Sequence, residues 1–352
     1  MKKIVIARPG GYERLQVVDA PDPRPARGEI LIETAAVGVN YADCIARMGL
    51  YASARELAGY PLVPGFELAG TVLALGDGVV GPQPGTRVVG VTLFGGYASK
   101  ICLPAARVFV LPNGLSLEEA AGVPTAYLTA WYALHRLAHT GKGERILVHS
   151  AAGGVGGALL QLGRAAGLVT TGVVGGSHKV ELAKELGADD VIDKSATNLW
   201  RAAETISPEG YDVICDANGA ATLADSYRHL APAGRLVVYG FHSMLPRQGG
   251  RPSWPRLALG WLRTPRFDPL RLTRDNRSVM GFNLSFLSQR EQLLAKAMRD
   301  LIARLGQGEL RPLPIRRYAF EDVVQAHKDI ESGTTTGKLI LCLDHRDPAG
   351  AD

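Results

Sequence analysis

The sequence predicts an α/β protein built as a β-rich domain plus a doubly wound parallel sheet. Three observations carry this. At 352 residues the chain exceeds the usual span of one hydrophobic core. Short β-rich runs broken by turn residues fill residues 1 to about 110. From about residue 117 the pattern changes to alternating helix and strand.

Taken in order, Ile4-Val5-Ile6, Glu29 to Ile32, Ala69 to Leu73, Arg87 to Gly90 and Ala98 to Leu103 predict strands of a compact, barrel-like domain. Parallel strands are expected at Ile146 to Val148, Val169 to Val174, Val191-Ile192, Tyr211 to Cys215 and Arg235 to Tyr239. After Tyr239 the alternation stops, and residues 244–278 form a Pro- and Arg-rich insertion. A strand at Val279 to Phe282, a helix over Gln289 to Leu305, Tyr318 to Phe320 and Lys338 to Leu343 are expected to return the chain to the β domain. The expected boundaries are therefore 1–120 with 279–352 for the β-rich domain and 121–278 for the parallel-sheet domain. Residues 345–352 read as a polar tail.

A charge of +5 would suit nucleic acid only if clustered on a docking element, and no such motif occurs. The four cysteines lack paired spacing, which excludes a disulfide framework and points to a reducing, cytoplasmic compartment. No stretch approaches the roughly 20 apolar residues that span a bilayer.

Ile146-Leu147-Val148-His149-Ser150-Ala151-Ala152-Gly153-Gly154-Val155-Gly156 places a glycine-rich turn between a buried strand and an apolar helix. Gly153 would admit a pyrophosphate to the backbone, Gly156 would let the helix pack on the strand, and free N–H groups would bind the anion. Ala151 stands where the first glycine is usual. An NAD site normally carries an acidic residue about 20 positions further on. Here no Asp or Glu lies between Gly156 and Val180, while Ser177 and Lys179 supply a hydroxyl and a cation for a 2′-phosphate, so NADPH is the expected cofactor. Ser177 could equally cap the following helix, and Lys179 could be solvated.

Gly38-Val39-Asn40-Tyr41-Ala42-Asp43, Arg47-Met48-Gly49-Leu50-Tyr51 and Pro64 to Gly70 resemble stretches of quinone oxidoreductases. With Ala151 to Gly156 and Gly337-Lys338-Leu339, the resemblance spans the chain. Ile206 to Val213, Val238-Tyr239-Gly240 and the basic insertion look like the VAT-1 branch of that family. The resemblance implies a GroES-like catalytic domain, a Rossmann domain, NADPH held in the cleft between them and a homodimer joined through Val279 to Phe282. In zinc-dependent alcohol dehydrogenases of the superfamily, Cys and His occupy the positions of Asn40 and Phe66. The resemblance therefore implies a metal-free site.

Without metal, hydride transfer to a quinone or an α,β-unsaturated carbonyl is the expected chemistry. Asn40 is the first candidate to meet the nicotinamide ribose or a substrate oxygen, with turn stabilisation as its other role. Tyr51 could orient substrate or relay a proton, or be interfacial. Thr129 falls where the family places a nicotinamide- or ribose-contacting threonine at a helix start, with helix packing as the alternative. Asn218 lies at a strand end, and Gly240 and Lys338 belong to family stretches expected to contact the cofactor. Phe241 and Phe282 would wall the nicotinamide or pack in the core. Asp43, Arg47 and Glu67 read as a structural charge network.

Between Pro246 and Arg277 eight arginines face two aspartates, interleaved with Trp254, Leu257, Leu259, Trp261, Leu262 and Phe267. This spacing predicts a short amphipathic helix over Trp254 to Leu262. It could cover the active site, lie on an anionic membrane or pack on a partner. The competing function is thus a non-catalytic, NADPH-binding scaffold associated with lipid.

Overall fold

The computed structural model describes residues Met1–Leu343, so the tail expected at 345–352 lies outside the described residues. The chain forms two compact units. One holds Met1–Thr125, Leu287–Glu331 and the stretch from Lys338; the other holds Ala126–Phe286 and Ser332–Gly337.

The first unit begins with β1 (Lys2–Val5) and β2 (Gln16–Asp19), an antiparallel pair. β3 (Glu29–Val39) alternates inward Ile30, Ile32, Thr34 and Ala36 with half-buried residues, as a strand with one face on a core must. It leads into α1 (Tyr41–Arg47), β4 (Glu67–Leu75), β5 (Arg87–Val91), β6 (Lys100–Pro104), β7 (Val108–Val110) and α2 (Leu117–Ala121). β3 is long enough to serve two partners along one edge: Glu29–Glu33 pair with β6, and Ala36–Val39 with a later strand.

α3 (Pro124–Trp131) leads into the second unit, where β8 (Arg145–His149), α4 (Gly154–Ala165), β9 (Val169–Val174), α5 (Val180–Glu185), β10 (Asp190–Asp193), α6 (Leu199–Ile206), β11 (Tyr211–Asp216), α7 (Leu223–Arg228) and β12 (Leu230–Val238) alternate. The insertion supplies α8 (Trp254–Arg263) and α9 (Pro269–Asp275), followed by β13 (Ser278–Gly281). The six strands are all parallel, in the order β10-β9-β8-β11-β12-β13. That doubly wound order reverses direction beside β8, where ligands bind in such sheets. Leu147, Val173, Ile192, Ile214 and Leu236 form the core beneath the helices.

The first unit is then completed by α10 (Glu291–Gly306), β14 (Ile315–Ala319), α11 (Val323–Ser332) and β15 (Lys338–Cys342). Its large sheet runs β14-β15-β3-β4-β5-β7, with β6 also on β3. Ile4, Ile6, Ile30, Ile32, Leu68, Val72, Tyr97 and Leu341 share its core.

Two features correct the expected boundaries. β13 does not open the return to the first unit, because it pairs with β12 as the outer strand of the parallel sheet. Residues 332–337 also belong with the second unit, where Gly337 N donates to Ala152 O at 2.8 Å. A short apolar run such as Val279-Met280-Gly281 carries no mark of which sheet will take it.

Candidate functional site

In the second unit, β8 ends at His149, and the next residue, Ser150, has a φ of 56° that turns the chain sharply toward α4. Gly153 is the N-cap of that helix. A Cβ on Gly156 would stand 2.2 Å from the Ser150 carbonyl oxygen, so only glycine lets the helix start this close to the strand. Ala151 is fully buried and donates its N–H to Val173 O, whereas Gly153, Gly154 and Val155 remain half-buried. Their exposed edge presents the N–H groups of a helix start, the positive end of the dipole.

Asn218 follows β11 and is 9% exposed. Its backbone N–H donates to Asp216 Oδ1 at 2.8 Å and its Oδ1 accepts from Ser150 Oγ at 3.5 Å, while its Nδ2 is buried with no hydrogen-bond partner. An orphaned amide donor close to a glycine turn fits a ligand rich in acceptors, such as a dinucleotide. Gly240 is required because a Cβ would lie 2.7 Å from Ala217 O. Phe241 is 45% exposed, whereas Phe282 packs on Tyr132 with ring centroids 4.9 Å apart.

Beyond the loop, Lys179 is nearly buried and its Nζ donates to Gly333 O at 2.7 Å and Thr335 O at 2.9 Å. Burial pushes its pKa down, and the nearby charges of Lys194 and Arg247 push it further the same way. The flanking structure partly desolvates the exposed Lys194, and this and then Arg247 likewise lower its pKa. Ser177 Oγ donates to Asp193 Oδ2 at 2.7 Å, and hydrogen bonds from Ser195 and Ser177 hold that carboxyl below its ordinary range. Asp193, Lys194 and Arg247 escaped the sequence reading. Asp193 closes β10 and Lys194 follows it, and the rule that ligands gather at carboxyl strand ends is the signal that would have found these two.

In the first unit, Asn40 caps α1, and its backbone N–H donates to Asp43 Oδ2 at 2.8 Å. Its side chain is gripped on both sides. Nδ2 donates to Glu67 Oε1 at 2.7 Å, and Oδ1 accepts from Lys338 Nζ at 2.7 Å. Lys338 Nζ also donates to Glu67 Oε1 at 2.7 Å and Val39 O at 3.2 Å, while Glu67 Oε2 takes the N–H of Thr125 at 2.7 Å. Gly38 makes room, since a Cβ there would lie 2.3 Å from Glu67 Oε1. An ammonium has three hydrogens. Lys338 directs all of them into this cluster, to Val39 O, Asn40 Oδ1 and Glu67 Oε1.

The three charges form one connected network, in which Asp43 meets Glu67 through Asn40 and reaches Arg47 through Tyr97 and His327. Asp43 accepts from Gly65 N, from Asn40 N and from the Tyr97 hydroxyl. Arg47 donates to Glu331 Oε1 at 2.8 Å and lies 3.1 Å from His327 Nδ1. Glu67 serves Asn40 and Lys338. Cys44, His327 and Glu331 bring their ligand atoms together, but the Arg47 guanidinium already engages two of them and opposes a cation there.

Tyr51 stands edge-on to Phe66 and Phe94, with ring centroids at 5.9 and 6.4 Å, in an apolar cluster of the same unit. Thr129 is buried but lies well inside α3 rather than at its start. Pro124, which favours the first helical position, sets that start five residues earlier. His149 is fully buried, with Nε2 3.2 Å from Ser226 Oγ, and packs as a core histidine.

Two units of this kind, one a mixed β-sheet and the other a doubly wound sheet with a glycine turn after its central strand, define the GroES-like and Rossmann-type halves of a medium-chain dehydrogenase/reductase. An alcohol dehydrogenase GroES-like domain model matches residues 26–113, and a zinc-binding dehydrogenase model matches residues 186–341. The human synaptic vesicle membrane protein VAT-1 homolog is 33% identical over 343 residues, covering 97% of this chain and 86% of the relative. The structure of Escherichia coli quinone oxidoreductase complexed with NADPH is similar with a TM-score of 0.84 and 28% identity, over 97% of this chain and 100% of that one. CurK enoyl reductase is similar with a TM-score of 0.83 and 26% identity, over 97% and 99%. The chain belongs to the quinone oxidoreductase-like branch of the medium-chain dehydrogenase/reductases, together with the VAT-1 homologs.

Proposed function

We propose that this protein reduces a quinone or an α,β-unsaturated carbonyl with NADPH, without a metal. The observation that carries this reading is the buried, unpartnered Nδ2 of Asn218 beside the glycine turn, with the Lys179 ammonium fixed beyond it by Gly333 O and Thr335 O, a donor and a cation suited to a dinucleotide phosphate. The quinone oxidoreductase complexed with NADPH and the enoyl reductase among the similar structures support the same chemistry.

Bound NADPH would supply the hydride. The backbone N–H groups of Gly154 and Val155 would hold its pyrophosphate, with Ala151, Gly153 and Gly156 shaping the turn. Asn218 Nδ2 would donate to it. Lys179 keeps one hydrogen beyond the two given to Gly333 and Thr335, enough for a phosphate oxygen. Phe241 would offer an apolar face. Asn40 would donate to the substrate oxygen that gains charge, and Tyr51 with Phe66 and Phe94 would exclude water. Asn40 and Phe66 stand where zinc-dependent relatives have ligands, so chelation is expected to leave turnover unchanged. We place the protein in the cytoplasm. We assign it a homodimer through the outer edge of β13, to be checked by light scattering.

The test is NADPH oxidation against a para-quinone, an ortho-quinone, a 2-alkenal and a simple ketone, with NADH in parallel. Turnover on quinone or alkenal but not ketone is expected. Tight NADPH binding without turnover on any of them would replace this reading with a scaffold. Lys179→Ala should weaken NADPH by about tenfold or more while sparing NADH. Equal losses would remove the assignment of Lys179.

One observation favours a lipid-associated role alongside. α8 has no buried residue; Trp254, Trp261 and Leu262 are 69%, 62% and 71% exposed. Among the described residues no helix is long and apolar enough to cross a membrane. Contact would therefore be peripheral, with the arginines of the insertion on an anionic surface. Flotation with anionic but not neutral liposomes, lost in Trp261→Ser with Leu262→Ser, is the expected result.

A further inference from the structure

Lys338 and Glu67 form an ion pair that is 4% and 0% exposed. A buried pair of this kind is a weak source of stability, since desolvating both charges offsets most of their attraction. Its geometry instead acts on Asn40. The ammonium meets the amide oxygen and the carboxylate meets the amide nitrogen, each at 2.7 Å. A flipped amide would set NH₂ against ammonium and oxygen against carboxylate, so the pair fixes one orientation. The second amide hydrogen has only a long contact, to Gly38 O at 3.4 Å. Asn40 is half-buried, which leaves that hydrogen a path to a ligand.

A cation on an amide oxygen draws electron density from the nitrogen and makes the remaining N–H a stronger donor, the more so at low local dielectric. Lys338 also balances the negative charge of Glu67, which would otherwise oppose any charge arriving beside Asn40. We propose that Lys338 is a positioning residue that, anchored by Glu67, aims and polarises the Asn40 amide toward the substrate oxygen on which negative charge develops during reduction. This rests on the reading that Asn40 meets that oxygen.

The test uses the full chain with Glu67→Gln and Lys338→Met combined, which removes both charges together and leaves no buried ion unpaired. Asn40→Ala serves as the reference, and circular dichroism and thermal melting confirm the fold of each variant. The paired variant is expected to lower kcat about a hundredfold with KM for NADPH unchanged, and to add nothing further in the Asn40→Ala background. Lys338→Arg, which keeps the charge, should recover part of the loss. Independent losses that multiply with Asn40→Ala would overturn the inference and leave the reading of Asn40 standing. Full kcat in Asn40→Ala would overturn both.

A second readout needs no turnover. With ¹⁵N-asparagine labelling, the Asn40 side-chain signal is assigned by its disappearance in Asn40→Ala. Its two amide protons should be widely separated in the native protein and move toward the ordinary pair of positions in the Glu67→Gln, Lys338→Met variant. An unchanged signal would refute the polarising role even in a protein that proves to have no reductase activity.

Discussion

Gly38 shows how much a single missing atom can support. Its absent Cβ leaves room for Glu67 Oε1 and for Ala121 O, which would lie 2.3 and 2.5 Å away. Gly38→Ala should therefore destabilise the first unit by about 1–3 kcal/mol and reduce turnover as well, because Glu67 must move and release Asn40. Urea denaturation with a parallel rate measurement checks this, and a loss of stability with full kcat would contradict the coupling. Asn40 was legible in the sequence from its setting before Asp43. The grip on it was not, since Glu67 and Lys338 are 27 and 298 positions away and no local pattern ties them to it. Lys179 shows the same limit in reverse. Its address beyond the glycine turn was readable, yet its two carbonyl partners come from Gly333 and Thr335.

Periodicity announced α8, but not which way it would face. With about 100° between successive residues, Leu257 and Gly260 share its half-buried side, Gly260 lying close to Met244. Trp254, Ala258, Trp261 and Leu262 share a different side, open to solvent. An apolar stripe normally marks the face toward the core, and here it does not. Trp261→Ser should accordingly shift the unfolding free energy by no more than about 0.5 kcal/mol, as expected of an exposed position. A loss of several kcal/mol would mean that the indole is packed in solution. β13 teaches a similar lesson: its strand character was plain, while its sheet was decided by pairing with β12 rather than by anything in Val279-Met280-Gly281.

At the scale of the molecule, the division into a β-rich unit and a parallel-sheet unit was readable because the period of the apolar pattern changes along the chain. The crossings between units were not, because chain continuity hides them. The α1–α11 network of the first unit also gives the protein a characteristic response to acid. His327 is fully buried, and burial, then the neighbouring Arg47, holds its pKa well below the ordinary 6.5. Arg47 offers only hydrogens, so Nδ1 accepts and the ring proton sits on Nε2, facing the Tyr97 oxygen at 3.3 Å. The folded state thus stays unprotonated at His327 where the unfolded chain takes a proton. Stability from this group is full above about pH 6.5 and is lost as pH falls, by about 1.4 kcal/mol per unit. His327→Gln should flatten the pH dependence of unfolding by that slope. An unchanged slope would show that His327 is protonated in the folded protein.

The stretch 332–337 has a consequence in time. It lies against the glycine turn through Gly337 and Ala152, and against Lys179 through Gly333 and Thr335. During synthesis the strands and helices of 126–286 emerge well before it, so the nascent sheet has its Rossmann order while the Lys179 ammonium and the Ala152 carbonyl still face water. The partners of Lys179 and of the Ala152 carbonyl therefore reach the glycine turn only after residue 337 leaves the ribosome.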